Sequence, residues 1–542
     1  MSTAQPFAAR ILGPGSTFLY RQGTICVLDG DIVRISDVHS QLDPVRLHLD
    51  TIIRPELESA FALSADFRVR LLNYADNIIA VHVTPRNEGD DSYIFAIDTT
   101  ADPPNGRRVI RAVQLAASSK LFVRHNAHYL YYGTHTGTGD DGHHKWEIDG
   151  ISLSTNSLLP KRERPLLLDK FHGSDIGSTV AFEIHNDYFY GVSNQGTFEV
   201  EEIDYTSFYH VIRFPLNSPL PEDLEKDERL FRRQHKQGPI HDSWTDLALQ
   251  LDERSNETVV VESRREWAQA SSRQSRTFYV TKLEFEDQPD TPMEDEGPLL
   301  PEDDAYVPLL DSSNDPHWKP TPGLYSFSQH PEFPRTETSP RSFILARTKF
   351  RAYNYACTSF LDLVEDDRCC NDPSQPPCFR LRVGSRRELG LDYFQAEKKG
   401  KGRVDDTHTL FVDEKTRYSQ LPIRMWPPPA SRCPCSKRLH DILNPPLPSG
   451  GSSYTRSVTG VLDERCLVFM VKAGRSYSSS DDSTQGTIVV VDFTRPLRPD
   501  ASAPSASTSM ARCDSKMEDE ASPESWEWTP GHERRCRDGT CR

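Results

Sequence analysis

The chain has 542 residues, with 80 Asp and Glu against 63 Lys and Arg, for a formal net charge of -17. A chain this acidic repels phosphate backbones and anionic lipid, which argues against nucleic acid or a membrane surface as a general partner. Hydrophobic residues make up 36% of the chain and the mean hydropathy is -0.60, so part of it is too polar to pack, and no stretch approaches the ~20 apolar residues of a membrane span.

The N-terminus, MSTAQPFAARILGPGS, lacks the long apolar run of a secretory signal. Eleven cysteines form an odd set at ordinary density, and Cys26, Cys357 and Cys466 fall within expected strands. Both features predict a reducing compartment, cytoplasm or nucleus.

The first element is a hairpin. Thr24 to Leu28 is a short β-branched run, Asp29-Gly30 tolerates positive φ, and Asp31 to Ser36 is a second run carrying Ile32, Val33 and Ile35. Two such runs joined by Asp-Gly are a strong local sign of a β-hairpin. The phrase then recurs. Val69 to Val83 turns at Asp76-Asn77. FVRHNAHYLYYG (Phe122 to Gly133) and FEIHNDYFYG (Phe182 to Gly191) each give an apolar strand, a His-Asn turn, a Tyr-rich strand and a glycine. Leu247 to Val261 loops at Asp252 to Glu257, and Val458 to Val471 turns at Asp463-Glu464. A further strand follows several of these, at Tyr93–Ile97, Trp146–Ile151, Tyr209–Phe214, Phe278–Leu283 and Thr487–Phe493.

A unit of three or four short strands cannot cover both faces of its own sheet, but copies packed against one another can. The expected fold is therefore all-β: a β-propeller of about seven blades, starting near residues 16, 67, 119, 178, 245, 342 and 456. Closure would bring the first strands beside Thr487–Phe493. Two β-sandwich domains are the alternative. The propeller is expected in two parts, 11–286 and 323–496. Between them lies an acidic, Pro-rich insertion at 287–322; residues 283–318 hold twelve Asp and Glu, six Pro and no Lys or Arg. A long irregular surface insertion is expected near 396–452, and a disordered tail at 497–542. Asp223 to Gln237, rich in good helix formers, is expected as a helix.

Motifs that would carry chemistry are weak. Gly137-Thr138-Gly139-Asp140-Asp141-Gly142 spells GxGxxG, but it joins two strands and its aspartates would repel phosphate, so a hairpin loop is expected. His125, His128, His135, His143 and His144 lie close in sequence without an HExxH helix or a cysteine partner, and satisfied loop histidines are expected. Cys369, Cys370, Cys378, Cys433 and Cys435 could supply thiolates to zinc, yet their spacing departs from the paired ligands of structural sites. No catalytic, cofactor-binding or metal residue is therefore assigned, and no cofactor is expected. The chain reads as a protein-interaction module and not as an enzyme, with Trp146, Tyr188, Tyr190, Tyr205 and Tyr209 as possible anchors in its loops. A propeller glycoside hydrolase, or a truncated relic without a partner, is the alternative.

GPGSTFLYRQGTICVLDGDIVRISDVHS, residues 13–40, resembles the segment just after the F-box in a group of filamentous-fungal F-box proteins. That resemblance implies a propeller-like region presenting a substrate to a cullin-type ubiquitin ligase. Met1 to Arg10 is too short for the F-box helices, so binding to the ligase adaptor is expected only if an F-box lies upstream. The resemblance supplies no functional residue.

Overall fold

The computed structural model describes residues 5–40, 43–61, 66–86, 91–103, 106–155, 157–195, 206–227, 231–233, 245–252, 255–267, 274–283, 285, 348–366, 377–388, 411–413, 418–420, 424–427, 434–448, 456–474, 484–494 and 525–527. The insertion expected at 287–322 lies outside them, as does most of the tail. The chain divides into two compact units, Phe18–Pro331 on the one hand and Met1–Thr17 with Glu332–Arg542 on the other.

Strands dominate both units. Among the described residues the larger holds five antiparallel sheets of three or four strands, in chain order. The first is β2 (Thr17–Arg21), β3 (Thr24–Asp29), β4 (Ile32–Asp37) and β5 (Val45–His48), after β1 (Ala8–Gly15), which belongs to the other unit. Helix α1 (Leu49–Phe61) follows. The second sheet is β6 (Phe67–Ala75), β7 (Ile78–Pro85), β8 (Ser92–Asp98) and β9 (Val109–Leu115). The third is β10 (Phe122–His125), β11 (Tyr129–Thr138), β12 (His144–Ser152) and β13 (Leu166–Leu167). The fourth is β14 (Val180–His185), β15 (Tyr188–Ser193), β17 (His210–Pro215) and β18 (Glu225–Asp227), beside a separate ribbon of β16 (Thr206–Phe208) and β19 (Phe231–Arg233). The fifth is β20 (Asp246–Asp252), β21 (Glu257–Trp267) and β22 (Gln274–Lys282).

Each sheet is a meander whose neighbours in sequence are neighbours in space, and its first strand lies next to the first strand of the following sheet: β6 by β10, β10 by β14, β14 by β20. The core forms as layers between successive sheets. Cys26, Leu28, Val33 and Ile35 meet Ile79, Val81, Phe95 and Ile97 in one layer, which α1 joins through Leu49, Ile53 and Leu57. Ile78, Ala80, Ile94 and Ala96, on the opposite face of the second sheet, meet Val123 and Leu130 of the third. Phe122, Tyr131 and Trp146 then face Phe182, Phe189 and Phe214 of the fourth. Ala181, Val192 and Val211 face Leu247 and Val260 of the fifth. This is strand alternation with both faces apolar, as stacked blades require.

In the smaller unit, β23 (Thr348–Asn354), β24 (Ser359–Asp366) and β25 (Cys378–Glu388) form a sheet extended by β26 (Phe411–Asp413), β27 (Tyr418–Gln420) and β28 (Arg424–Trp426). Helix α2 (Pro434–Leu443) leads to β29 (Arg456–Leu462), β30 (Cys466–Ala473) and β31 (Gly486–Asp492), and the order continues β31-β1-β32, with β32 at Ser525–Glu527. The N-terminal strand thus completes the last sheet, Ala8 opposite Asp492 and Gly15 opposite Gly486, where the sequence placed the closure.

The fold is all-β and of the propeller type. The seven meander sheets among the described residues begin within a few residues of the expected starts, and the third strands fall where they were expected. Four expectations are corrected. The described residues of Asp223 to Gln237 form β18 and β19 where a helix was expected, because pairing at sheet edges overrides intrinsic propensity. The stretch 396–452 is not simply an irregular surface insertion: β28 pairs with β25, and α2 buries Leu439, Ile442 and Leu443 in the core. Residues 525–527, expected as disordered tail, form β32, since Trp526 is 5% exposed and its strand pairs with β1. The segment from residue 11 does not join the first part of the propeller, because β1 finds its ladder in the last sheet.

The glycine that ends the repeated phrase has a physical cause. Gly133 stands opposite Phe122, and Gly191 opposite Phe182, in register across the first pair of strands. A Cβ at Gly133 would lie 2.5 Å from the Phe122 ring and 2.9 Å from the Glu147 carbonyl. The aromatic ring lies over the missing side chain. Gly133→Ala is expected to lower stability by about 1–3 kcal/mol through overpacking. Urea unfolding checks this, and an unchanged midpoint would mean the ring moves aside freely.

Candidate functional site

The two-residue turns between first and second strands repeat along the larger unit, and they converge. Gln22-Gly23 joins β2 to β3, Asp76-Asn77 joins β6 to β7, and Asn186-Asp187 joins β14 to β15. Gln22, Asp76, Asn77 and Asn186 take φ of 47°, 48°, 59° and 50°, the left-handed region that Asn and Asp tolerate best. The β10–β11 turn is tied by Asn126, whose Oδ1 accepts from the His128 and Tyr129 amides at 2.8 Å each.

Together these turns surround a cavity of about 430 Å³. Its walls are Arg21, Gln22, Thr24, Tyr74, Ala75, Asp76, Asn77, His125, Asn126, Ile184, His185, Asn186 and Leu251. The His-Asn pairs of the two clearest sequence repeats, His125-Asn126 and His185-Asn186, therefore stand side by side in space. Gln22, Asp76, Asn77 and Asn186 are exposed at the rim, while Tyr74, His125 and Ile184 are buried.

Arg21 donates to Glu183 Oε1 at 3.1 Å, and Arg124 Nε lies 3.7 Å from the other oxygen of the same carboxylate. Arg124 also donates to the Phe182 and Val123 carbonyls, at 2.7 and 2.8 Å. His185 Nε2 donates to the Asn256 carbonyl at 3.2 Å. Tyr74 Oη donates to Asn77 Oδ1 at 3.4 Å. His125 is the most enclosed of these side chains, 1% exposed, with its ring beside the Asn73 and Asn126 backbone.

The five sequence histidines do not gather into one site. His135 packs edge-on to Trp146 at 5.1 Å and to His144 at 6.3 Å. His128 and His143 are exposed in turns. His125 ends strand β10 inside the wall and does not lie in a loop. The GxGxxG segment is the β11–β12 hairpin loop, as expected. Cys378 is a buried cysteine outside any disulfide, while Cys369, Cys370 and Cys433 lie outside the described residues and Cys435 is placed only as part of α2. The anchors are mostly core: Trp146, Tyr190 and Tyr209 are buried, because their strands face neighbouring sheets on both sides. Tyr188 is half-buried with the Arg213 guanidinium 4.6 Å from its ring, and Tyr205 lies outside the described residues. The wall residues Arg21, Gln22 and Tyr74 had no sequence signal of their own. Asp76-Asn77 and the His-Asn pairs did, through the recurrence of their turns.

No family model and no curated protein matches the chain. Solved structures resemble it at a distance. Hsv2p of Kluyveromyces lactis is 15% identical with a TM-score of 0.25, over 50% of this chain and 62% of that one. A second structure of Kluyveromyces lactis Hsv2 is 12% identical with a TM-score of 0.29, over 69% and 81%. Prolyl oligopeptidase B from Galerina marginata is 8% identical with a TM-score of 0.30, over 86% and 46%. The chain thus spans less than two thirds of the first of these structures. With scores of this size, the architecture rests on the strand pairing itself.

Burial holds the His125 imidazole at about 4, against a smaller upward pull from the Asn73 and Asn126 backbone, while Arg21 and Asp76 act on it with opposite signs. Burial, helped by the charge of Arg70, holds His82 of β7 at about 4 as well. In the unfolded chain a histidine titrates near 6.5. Between about 6.5 and 4 the unfolded state therefore binds more protons, and stability falls as pH falls through that window. For His125 the full effect is about 3 kcal/mol. Urea unfolding of His125→Gln is expected to lose less stability between pH 6.5 and 4 than the wild type. Equal losses would mean that the imidazole is not buried in its neutral form.

Proposed function

We propose that the chain is a protein-interaction module of the propeller class, with its docking surface on the side where the turns of the larger unit converge. The observation that carries this reading is the convergence itself. Turns from successive sheets present exposed polar side chains (Gln22, Asp76, Asn77, Asn186) around one depression, on a scaffold whose strands are fixed by core packing. Polar loops on a rigid base are where binding surfaces concentrate. The buried aromatics cannot serve as anchors, so the partner would be recognised by hydrogen bonds at the rim and by whatever enters the depression. Asp76 is the single carboxylate among the described lining residues, which gives a paired-carboxylate glycosidase mechanism no support.

The resemblance to fungal F-box proteins gives this reading its finer form. In that form the module works in the cytoplasm or nucleus and presents a substrate to a cullin-type ubiquitin ligase, when an F-box precedes it. Residues 1–542 alone are then expected not to bind the ligase adaptor, whereas a longer product carrying an F-box is expected to bind it. Co-precipitation with the adaptor decides the ligase role, and no association of the longer product would end it.

Docking is tested separately. Asp76→Lys with Asn186→Arg reverses the character of the rim without touching the core, and is expected to weaken capture of wild-type partners at least about tenfold. Unchanged capture by a protein with a wild-type circular dichroism spectrum would place the docking surface elsewhere.

A further inference from the structure

The smaller unit holds a contact that its own sheet does not require. We propose that the outer edge of β1 and the face of α2 form a peptide-docking groove. The C-terminal segment around Trp526 fills it in cis, and a segment of a partner protein with the same chemistry (extended, acidic, with a central tryptophan) displaces it. The inference is independent of docking at the rim of the larger unit.

Strand number comes first. Each of the first four sheets has four strands. In the last sheet β29, β30, β31 and β1 already make four, and β32 is a fifth, laid along the far edge of β1. Its hold is short. β1 pairs with β31 at seven residue positions but with β32 at three: Ala8 opposite Glu527, Ala9 opposite Trp526 and Arg10 opposite Ser525. Burial separates it from the sheet's own strands as well. β30 and β31 each bury six consecutive residues, whereas β32 buries Trp526 alone and leaves Glu527 exposed. A short strand added to a free edge, with one side chain entering a pocket, is how sheets take up extended peptides.

The pocket is built from two elements. Trp526 is 5% exposed and shares one apolar cluster with Ala9 of β1 and Leu439, Ile442 and Leu443 of α2, and α2 packs against both β1 and β32. The three α2 residues follow helical spacing and so share a face. The small side chain of Ala9, directly across from Trp526, leaves room for the indole beside that helix. Without Trp526 this apolar face and the outer edge of β1 would both be uncovered.

The chemistry of the occupant sets that of the partner. Met517 to Glu527 carries Glu518, Asp519, Glu520, Glu524 and Glu527 and no Lys or Arg. The elements that frame the groove bring Arg10 on β1 and Lys437 and Arg438 on α2, against Asp441. Opposite signs favour approach and fix register. A tethered segment competes at the high effective concentration of an intramolecular ligand, so a partner must match its tryptophan anchor to displace it.

The test uses the full chain and, as probe, a fluorescein-labelled peptide of residues 521–530, ASPESWEWTP. Trp526→Ala in the chain empties the pocket. Fluorescence anisotropy is expected to show saturable one-to-one binding of the probe to this variant. Binding to the wild type, whose own tail competes, is expected to be at least about tenfold weaker. A probe that itself carries Trp526→Ala is expected to lose at least about tenfold in affinity. Equal binding to the two chains, or none to the folded variant, would overturn the proposal. Random peptides displayed on phage and selected on the variant are expected to converge on a tryptophan among acidic residues, and the probe is expected to elute them. A consensus without an aromatic residue, or one that the probe leaves bound, would overturn the partner class. Hydrogen exchange on the wild type keeps the test open should the variant fail to fold. The amides of Ser525 to Glu527 are expected to exchange at least about tenfold faster than those of β30 and β31, through local opening. Exchange in step with β30 and β31 would make β32 a fixed part of the sheet and overturn displacement. A dimer of the wild type that Trp526→Ala abolishes would overturn the partner and assign the groove to the tail of a second copy.

Discussion

A small sheet that is apolar on both sides cannot be stable alone, and every other property of the larger unit depends on how that is resolved. Neighbouring residues on one strand serve different layers. Val123 packs back towards the second sheet, and Phe122 forward towards the fourth. Leu130 and Tyr131 divide in the same way. A one-residue slip in register would exchange these sets, placing Phe122 in a layer built for Val123. The register is therefore held from two sides at once, and the turns at the strand ends are fixed with it. A binding surface made of turns can be exact only when the strands behind it cannot slide.

The same demand for close packing explains the glycines and the buried charges. The stacked rings of Phe122 and Phe182, 4.2 Å apart, fill the layer between the third and fourth sheets, and each ring also lies over a glycine of its own sheet. Two buried charges show how such layers accommodate them. Glu262 is fully buried, yet it accepts from Asn194 Nδ2 at 3.0 Å and from Tyr209 Oη at 2.5 Å. In the smaller unit Arg382 and Asp362 stand directly opposite one another on β25 and β24 and meet at 3.0 Å, 1% and 0% exposed. Removing either partner of such a pair would strand the other charge away from water, the costly case, although the pair itself adds little net stability.

The repeating unit was legible because hairpin turns carry their own chemistry. Gly30, Asp76-Asn77 and Asn186 sit where the backbone needs positive φ, and few residues accept it. The helices were harder to read. In α1, Leu49, Ile53 and Leu57 follow helical spacing, but the run is short, contains Pro55, and sits between strand phrases of greater contrast. In DLEKDERLFRRQHKQ the opposite happened: strong local propensity gave way to edge pairing with β17 and β16. Local signals decide such segments only where no neighbouring strand offers a ladder. The addition of β1 and Trp526 to the last sheet depends on contacts hundreds of residues apart, which no local phrase encodes.

The cavity was half visible for the same reason. The recurring His-Asn turn gave its residues, but a repeat read along the chain places its copies about sixty residues apart, and only the stacking of sheets brings them to one place. The same phrase serves two different surroundings: His185 Nε2 meets the Asn256 carbonyl, whereas His125 is buried beside the Asn73 and Asn126 backbone and burial holds its imidazole neutral. What the repeat specifies is the turn, and what each histidine does there is decided by the sheet stacked against it.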